Sequence, residues 1–220
     1  MLDSLRPSIA VLSAAHGYRD PFTVQHQDRV ANLAVAIGAQ LGMGAQRLEV
    51  LRLAAVVHDI GKIAVPAEIL GKPGALSDTE YALVKSHCAI GFGILQRLQS
   101  PLPIAEIAYQ HHERLDGSGY PRGLSGDGIL LEARILSVAD VYDAMTSNRA
   151  YRPGMPADFV LERLREMAGR LLDSDAVEAC QSCILCGTCT YRIEMFTSLP
   201  MASLDQLALG KKVREIGKSQ

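Results

Sequence analysis

An all-α fold is what this 220-residue sequence predicts, and three observations lead there. Apolar residues recur at three- and four-residue spacing in several separate segments. The alternating pattern of half-buried strands is missing. The one dense run of glycines falls between two helical segments rather than inside one. The expected architecture is a bundle of helices interrupted by one long glycine-rich loop.

The segments justify this in turn. Val24 to Leu41 places Val30, Leu33, Ala34, Ile37 and Leu41 on one helical stripe. Leu48 to Val57 is a second apolar helix that runs into His58-Asp59, with Gly61 and Pro66 marking its end. Ser77-Asp78-Thr79-Glu80 has the form of a capping box and opens a helix expected to pass through His87 to about Leu98. Pro103 starts the next helix, expected to carry His111 and His112. Glu132 to Asn148 buries Ile135, Val138, Ala139 and Tyr142, and Asp158 to Ala168 is amphipathic. Five glycines lie between Gly117 and Gly128, so that stretch is a loop whose backbone can approach a ligand closely.

Composition bounds the function. Hydrophobic residues make up 48% and charged residues 21%, enough for a sizeable core. The net charge of -2 gives no basic field for nucleic acid, so no DNA partner is expected. No apolar run approaches the roughly 20 residues that span a bilayer, and the first residues have no signal-peptide layout. No membrane partner and a cytoplasmic location are the expectation. The domain is expected to span 1–179, with 180–220 a cysteine-containing tail, either poorly ordered or a small metal site. Cys180, Cys183, Cys186 and Cys189 are spaced by three. On a continuous helix such steps fan the thiols across half the circumference, so a metal would require a break, which Gly187 permits. With such a break, zinc, an iron–sulfur cluster or a redox role are the readings; a tail with no specific role is the competing one.

The chemistry-bearing residues are histidines and aspartates. His26, His58, His87, His111 and His112 sit where helices end or turn inward. Asp59 and Asp140 interrupt apolar runs, where a carboxylate is costly to bury unless paired or bound to metal. One such pair is usually an ordinary hydrogen-bonded core pair; five histidines with two such aspartates favour a metal site. The donor set suits Fe, Mn, Co or Ni better than an all-sulfur tetrahedral zinc site.

His58-Asp59-Ile60-Gly61-Lys62, followed by His111-His112-Glu113-Arg114-Leu115-Asp116-Gly117-Ser118-Gly119-Tyr120-Pro121, resembles the HD-GYP family of HD-superfamily metal-dependent phosphohydrolases. Arg19-Asp20-Pro21-Phe22-Thr23 with His26 and Arg29, Lys85-Ser86-His87 with Gly91, and the segment from Ser137 to Thr146 with Arg149, Tyr151 and Arg152 extend the match from about Leu12 to about Glu178. The resemblance implies an HD-domain helical bundle around a bi-metal centre. One ion would take His26, His58, Asp59 and Asp140; the other would take His87, His111 and His112, with Asp59 bridging. It implies two divalent ions, Fe or Mn foremost, with Co, Ni or Zn as alternatives. It also implies hydrolysis of cyclic di-GMP to linear pGpG and GMP. Phe22 stands one helical turn before His26, where some members of the family carry a glutamate for a third ion, so two ions are expected.

The catalytic assignments are Asp59 as bridge and Lys62, one turn after His58, as a holder of a phosphate oxygen or of the leaving group; without the resemblance Lys62 would read as a surface lysine. Arg149 and Arg152 read either as grips on a phosphate or guanine edge or as charges complementing a helix C-terminus. Gly119 and Tyr120 read as substrate contacts, as a docking loop for a diguanylate-cyclase-type protein, or as a loop anchor. Asp143 reads as an acceptor that orients a ligand histidine or as a surface acid, and His16 as structural. Two rivals to the cyclic di-GMP enzyme stay open: a metal-holding signalling module, and a phosphohydrolase acting on another nucleotide such as a mixed GMP–AMP cyclic dinucleotide.

Overall fold

A computed structural model describes residues 2–19, 21–148 and 153–186. Arg149, Arg152 and Cys189 lie outside them, as does the side chain of Phe22, whose backbone is helical. Among the described residues ten α-helices follow one another: α1 (Leu2–Arg19), α2 (Pro21–Gln40), α3 (Ala45–Val57), α4 (Ala67–Leu70), α5 (Asp78–Lys85), α6 (His87–Gln96), α7 (Ile104–Gln110), α8 (Leu131–Thr146), α9 (Ala157–Met167) and α10 (Ser174–Leu185). Short 3₁₀ segments at Ile60–Ala64 and Gly126–Gly128 complete the order, and the described residues contain no strand. No helix among the described residues is long and apolar enough to cross a membrane.

The core forms where α2 lies against α3 and α8, with α7 beyond α3 and α10 closing over α2. Ile37, Leu51, Leu53, Ile107, Ile135 and Leu136 are almost fully buried there. The expected stripes of α2, α3 and α8 are thus the ones the bundle buries, except that Leu41, just past α2, and Tyr142 are only partly buried. Helix α1 adds an unexpected layer on α2 and α3. Its inward face runs Leu5, Ile9, Ser13, His16, so polar residues interrupt the stripe, and Pro7 lies within the helix. His16 is structural as expected: its Nδ1 pairs with Gln27 Nε2 at 3.0 Å in the interior.

Three expectations need correction. The helix opened by the Ser77 capping box, which is present, does not continue to Leu98; it breaks at Ser86 into α5 and α6. There the Ser86 hydroxyl donates to Leu83 O and the His87 ring to Val84 O, side-chain bonds that compete with the helical ladder. His111 and His112 do not ride on α7 but follow its last residue, Gln110. The boundary expected after 179 falls inside α10, where Ala179, Cys180 and Cys183 belong to the core while Cys186 at the C-cap is exposed. These three cysteines therefore do not converge on an ion, and no cluster of potential metal donors among the described residues includes them.

Candidate metal centre

Helix ends deliver the histidines. His58 caps α3, His111 caps α7 and His87 follows the last residue break of α5, opening α6. In each, Nδ1 lies 2.6 Å from the carbonyl oxygen three residues back: Ala55, Val84 and Ala108. A carbonyl oxygen can only accept, so Nδ1 carries the proton. This satisfies a carbonyl left open at a helix end and turns Nε2 of each ring away from it; His87 Nε2 meets the Cys88 thiol at 3.4 Å. His26, from the second turn of α2, is oriented differently, through Nδ1 to Asp143 Oδ2 on α8 at 2.6 Å.

The Nε2 atoms converge on Asp59. His58 Nε2 lies 3.4 Å and His26 Nε2 3.8 Å from Asp59 Oδ2, while His26 Nε2 lies 3.3 Å and His58 Nε2 3.8 Å from Asp140 Oδ1. On the other side, His87 Nε2 lies 3.5 Å and His111 Nε2 3.9 Å from Asp59 Oδ1. Asp59 therefore turns one oxygen to a pocket formed with His26, His58 and Asp140, and the other to a pocket bordered by His87, His111 and His112. Within each of the sets His26–His58–Asp140 and His87–Cys88–His111–His112, donor atoms lie within 4.8 Å of one another. His58 Nε2, His111 Nε2 and Asp59 Oδ1 are buried without a hydrogen-bond partner. Lone pairs facing lone pairs in a dry interior are unfavourable unless a cation lies between them, so the residues present fit divalent metal ions.

Electrostatics agree with donor groups. Burial opposes ionisation of Asp59, but Lys62 and His58 outweigh it and hold the carboxyl well below its usual range. Asp140 is likewise held low, against burial, by His26 and His58. Burial lowers His87, takes His111 well below its usual range and takes His112 to about 3. His26 is the exception: burial opposes its charge, yet bonds to Asp140 and Asp143 raise it to about 9.

Of the remaining expected residues, Lys62, Gly119 and Tyr120 are described and lie around this centre, Lys62 with one change. Lys62 does not continue the helix of His58; the chain tightens to 3₁₀ after Asp59 and Lys62 Nζ donates back to Asp59 Oδ2 at 2.5 Å. Gly119 lies against the backbone of the metal-side residues: a Cβ there would stand 2.4 Å from Arg114 N and 2.5 Å from His112 O. Tyr120 N donates to His112 O at 3.2 Å, and the two rings lie 4.8 Å apart. Sequence reasoning missed what anchors this loop. Buried Glu113 accepts from Arg122 N at 2.7 Å and Leu124 N at 3.0 Å; the signal was a glutamate directly after the His-His pair. It also missed Cys88, a core residue whose thiol burial pushes up to about 12.

Comparison with known proteins places this geometry. The family model described as HD domain matches residues 11–176. A cyclic di-GMP phosphodiesterase of Thermotoga maritima is 41% identical over 179 residues, covering 80% of this chain and 49% of the relative. A 3'3'-cGAMP-specific phosphodiesterase 1 of Vibrio cholerae is 41% identical over 173 residues, covering 78% and 40%. The chain thus spans about half the length, or less, of these relatives. Among solved structures, Bd1817, a HDG"Y"P protein from Bdellovibrio bacteriovorus, superposes with a TM-score of 0.63 at 22% identity, over 74% of this chain and 52% of that one, a likeness of fold. With the HD motif, the glycine loop and the two-pocket centre in place, the chain belongs to the HD domain family, as a domain of the HD-GYP type.

Proposed function

We propose that this domain is a metal-dependent phosphodiesterase that opens cyclic di-GMP to linear pGpG and onward to GMP. The observation that carries the reading is Asp59, whose two oxygens face two adjoining sets of histidines. Bound there, a pair of divalent ions lowers the pKa of water and neutralises charge on phosphoryl oxygens. His26, His58 and Asp140 would hold one ion, His87, His111 and His112 the other, and Asp59 both. Fe and Mn suit this imidazole–carboxylate set, with Co, Ni and Zn as further candidates.

Lys62 supplies the mobile charge. Its ammonium rests on Asp59 Oδ2, at the edge of the site where a phosphate would lie beside the ions. There it neutralises a phosphate oxygen or donates a proton to the departing ribose oxygen. Tyr120 offers a ring face beside His112 for a guanine base. Arg149 and Arg152 are proposed to grip the second phosphate, and the Gly119-Tyr120 loop to meet a diguanylate-cyclase-type partner. A mixed GMP–AMP cyclic dinucleotide is the second reading, favoured by equal identity to relatives named for either substrate. Anaerobic incubation of Fe(II)- or Mn(II)-loaded protein with each cyclic dinucleotide, with chromatography of products, decides. The expected result is fastest consumption of cyclic di-GMP with pGpG appearing first; turnover of neither dinucleotide would overturn the reading.

A further inference from the structure

Cys88 follows His87 on α6 and is 1% exposed. Its Sγ lies 3.4 Å from His87 Nε2, the nitrogen turned towards Asp59 Oδ1. Sγ also stands within 4.8 Å of donor nitrogens of His111 and His112. His111 Nε2, in the same pocket, is fully buried and has no hydrogen-bond partner. A metal–sulfur bond of about 2.3 Å and a metal–nitrogen bond of about 2.0–2.1 Å, meeting near the tetrahedral angle, place the two donors about 3.5 Å apart. Cys88 Sγ and His87 Nε2 stand at that separation as a hydrogen-bonded pair, the thiol donating to the imidazole, so an ion can replace the shared proton without moving either donor.

The geometry points to Cys88 as a thiolate ligand of the ion held by His87, His111 and His112. This rests on the two-ion reading above. Charge supports it. The pocket of His26 and His58 has a carboxylate of its own, Asp140, in addition to its share of Asp59. The pocket of His87, His111 and His112 has three neutral imidazoles and its share of Asp59, and among the described residues Cys88 is the further donor in that cluster that can become anionic. Coordination replaces the S–H bond by a sulfur–metal bond and releases the proton to solvent. A sulfur donor also makes the two pockets unequal: the Cys88 side is the softer and favours Fe(II) or Zn(II), the Asp140 side is the harder and accepts Mn(II).

The test is the absorption spectrum of the full chain loaded with Co(II), in wild type, Cys88→Val and Cys88→Ser. The other four cysteines are unchanged in all three, so any band they produce cancels. The expected result is a near-ultraviolet thiolate-to-Co(II) charge-transfer band in wild type that both variants lose. One of the two Co(II) equivalents should bind more weakly in the variants, by more than about 10-fold. Two equivalents bound by wild type without the band would overturn the thiolate assignment and leave the two-ion reading standing, as would a band of equal strength in a folded variant. Failure of wild type to bind two equivalents would overturn both. Serine, which keeps the side-chain shape, decides the matter if the valine variant does not fold.

Discussion

His26 Nδ1 and Asp143 Oδ2 meet at 2.6 Å, joining α2 to α8 across 117 residues of sequence. Arg29 holds the same carboxylate through Nε at 2.5 Å and Nη2 at 3.0 Å, and the Ser147 hydroxyl donates to it at 3.1 Å. Asp143 therefore sets the orientation of His26 without reaching the pocket. Removing such a support costs about 10–100-fold in metal affinity. Asp143→Ala should weaken one of the two ions by that factor, with Asp143→Asn in between because its amide oxygen still accepts. Chelator competition measures it; an unchanged affinity in Asp143→Ala would show that His26 is not held this way.

The titration of the histidines predicts a stability optimum for the metal-free chain. His26 is raised from 6.5 to about 9, so its contribution is full below 6.5 and is lost as pH rises from there through about 9. His112 is lowered from 6.5 to about 3, so its contribution is full above 6.5 and is lost as pH falls from there through about 3. His87 and His111 shift in the same direction as His112. Melting temperature should peak near neutral pH and decline on both sides. Because His26 must shed a proton to bind metal, uptake at neutral pH should also release protons, readable by calorimetry in buffers of different ionisation enthalpy. A monotonic melting profile together with proton-neutral binding would contradict the account.

Gly61 is a packing requirement. A Cβ there would stand 1.9 Å from His87 O and 2.6 Å from Gly91 N. The 3₁₀ segment after Asp59 can approach α6 only without a side chain. Gly61→Ala should force α6 outward, destabilise by about 1–3 kcal/mol and impair the His87 pocket before the His26 pocket. Thermal melts and metal counts test this, and a variant with normal stability and both ions would refute it.

Helix α10 revises where the domain can be cut. Ending the chain after Glu178 removes Ala179, Cys180 and Cys183 from the core, a loss on the order of 2–5 kcal/mol. Ending it after Cys186 keeps the whole helix. The longer version should melt like the full chain and the shorter at clearly lower temperature. Equal melting of both would show that the part of α10 after Glu178 adds nothing to the core.

Much of this centre was legible because its chemistry conflicts with its surroundings. A carboxylate among Ala54, Ala55, Val56 and Val57 stands out in a string of letters, and so do paired histidines before a glycine-rich loop. What stayed hidden depended on geometry. Lys62 was placed one helical turn from His58, but the tightening after Asp59 brings it onto Asp59 itself. Cys88 looks like any core residue until α6 turns it beside His87 Nε2. The break at Ser86 involves no proline or glycine, only side chains competing for carbonyls. Helix α1 was passed over because Ser13 and His16 occupy its buried face. The spacing of Cys180, Cys183 and Cys186 suggested a metal, whereas the helix that carries them turns two inward and one outward.

The central claim is that Asp59 joins two ions into one site, and metal content read together with turnover tests it most directly. Plasma mass spectrometry of Mn(II)- or Fe(II)-loaded wild type should give two equivalents per chain. Asp59→Asn, whose amide is a poor bridging ligand, should hold one or fewer and hydrolyse no cyclic dinucleotide. An Asp59→Asn protein that keeps two ions and full turnover would contradict the account.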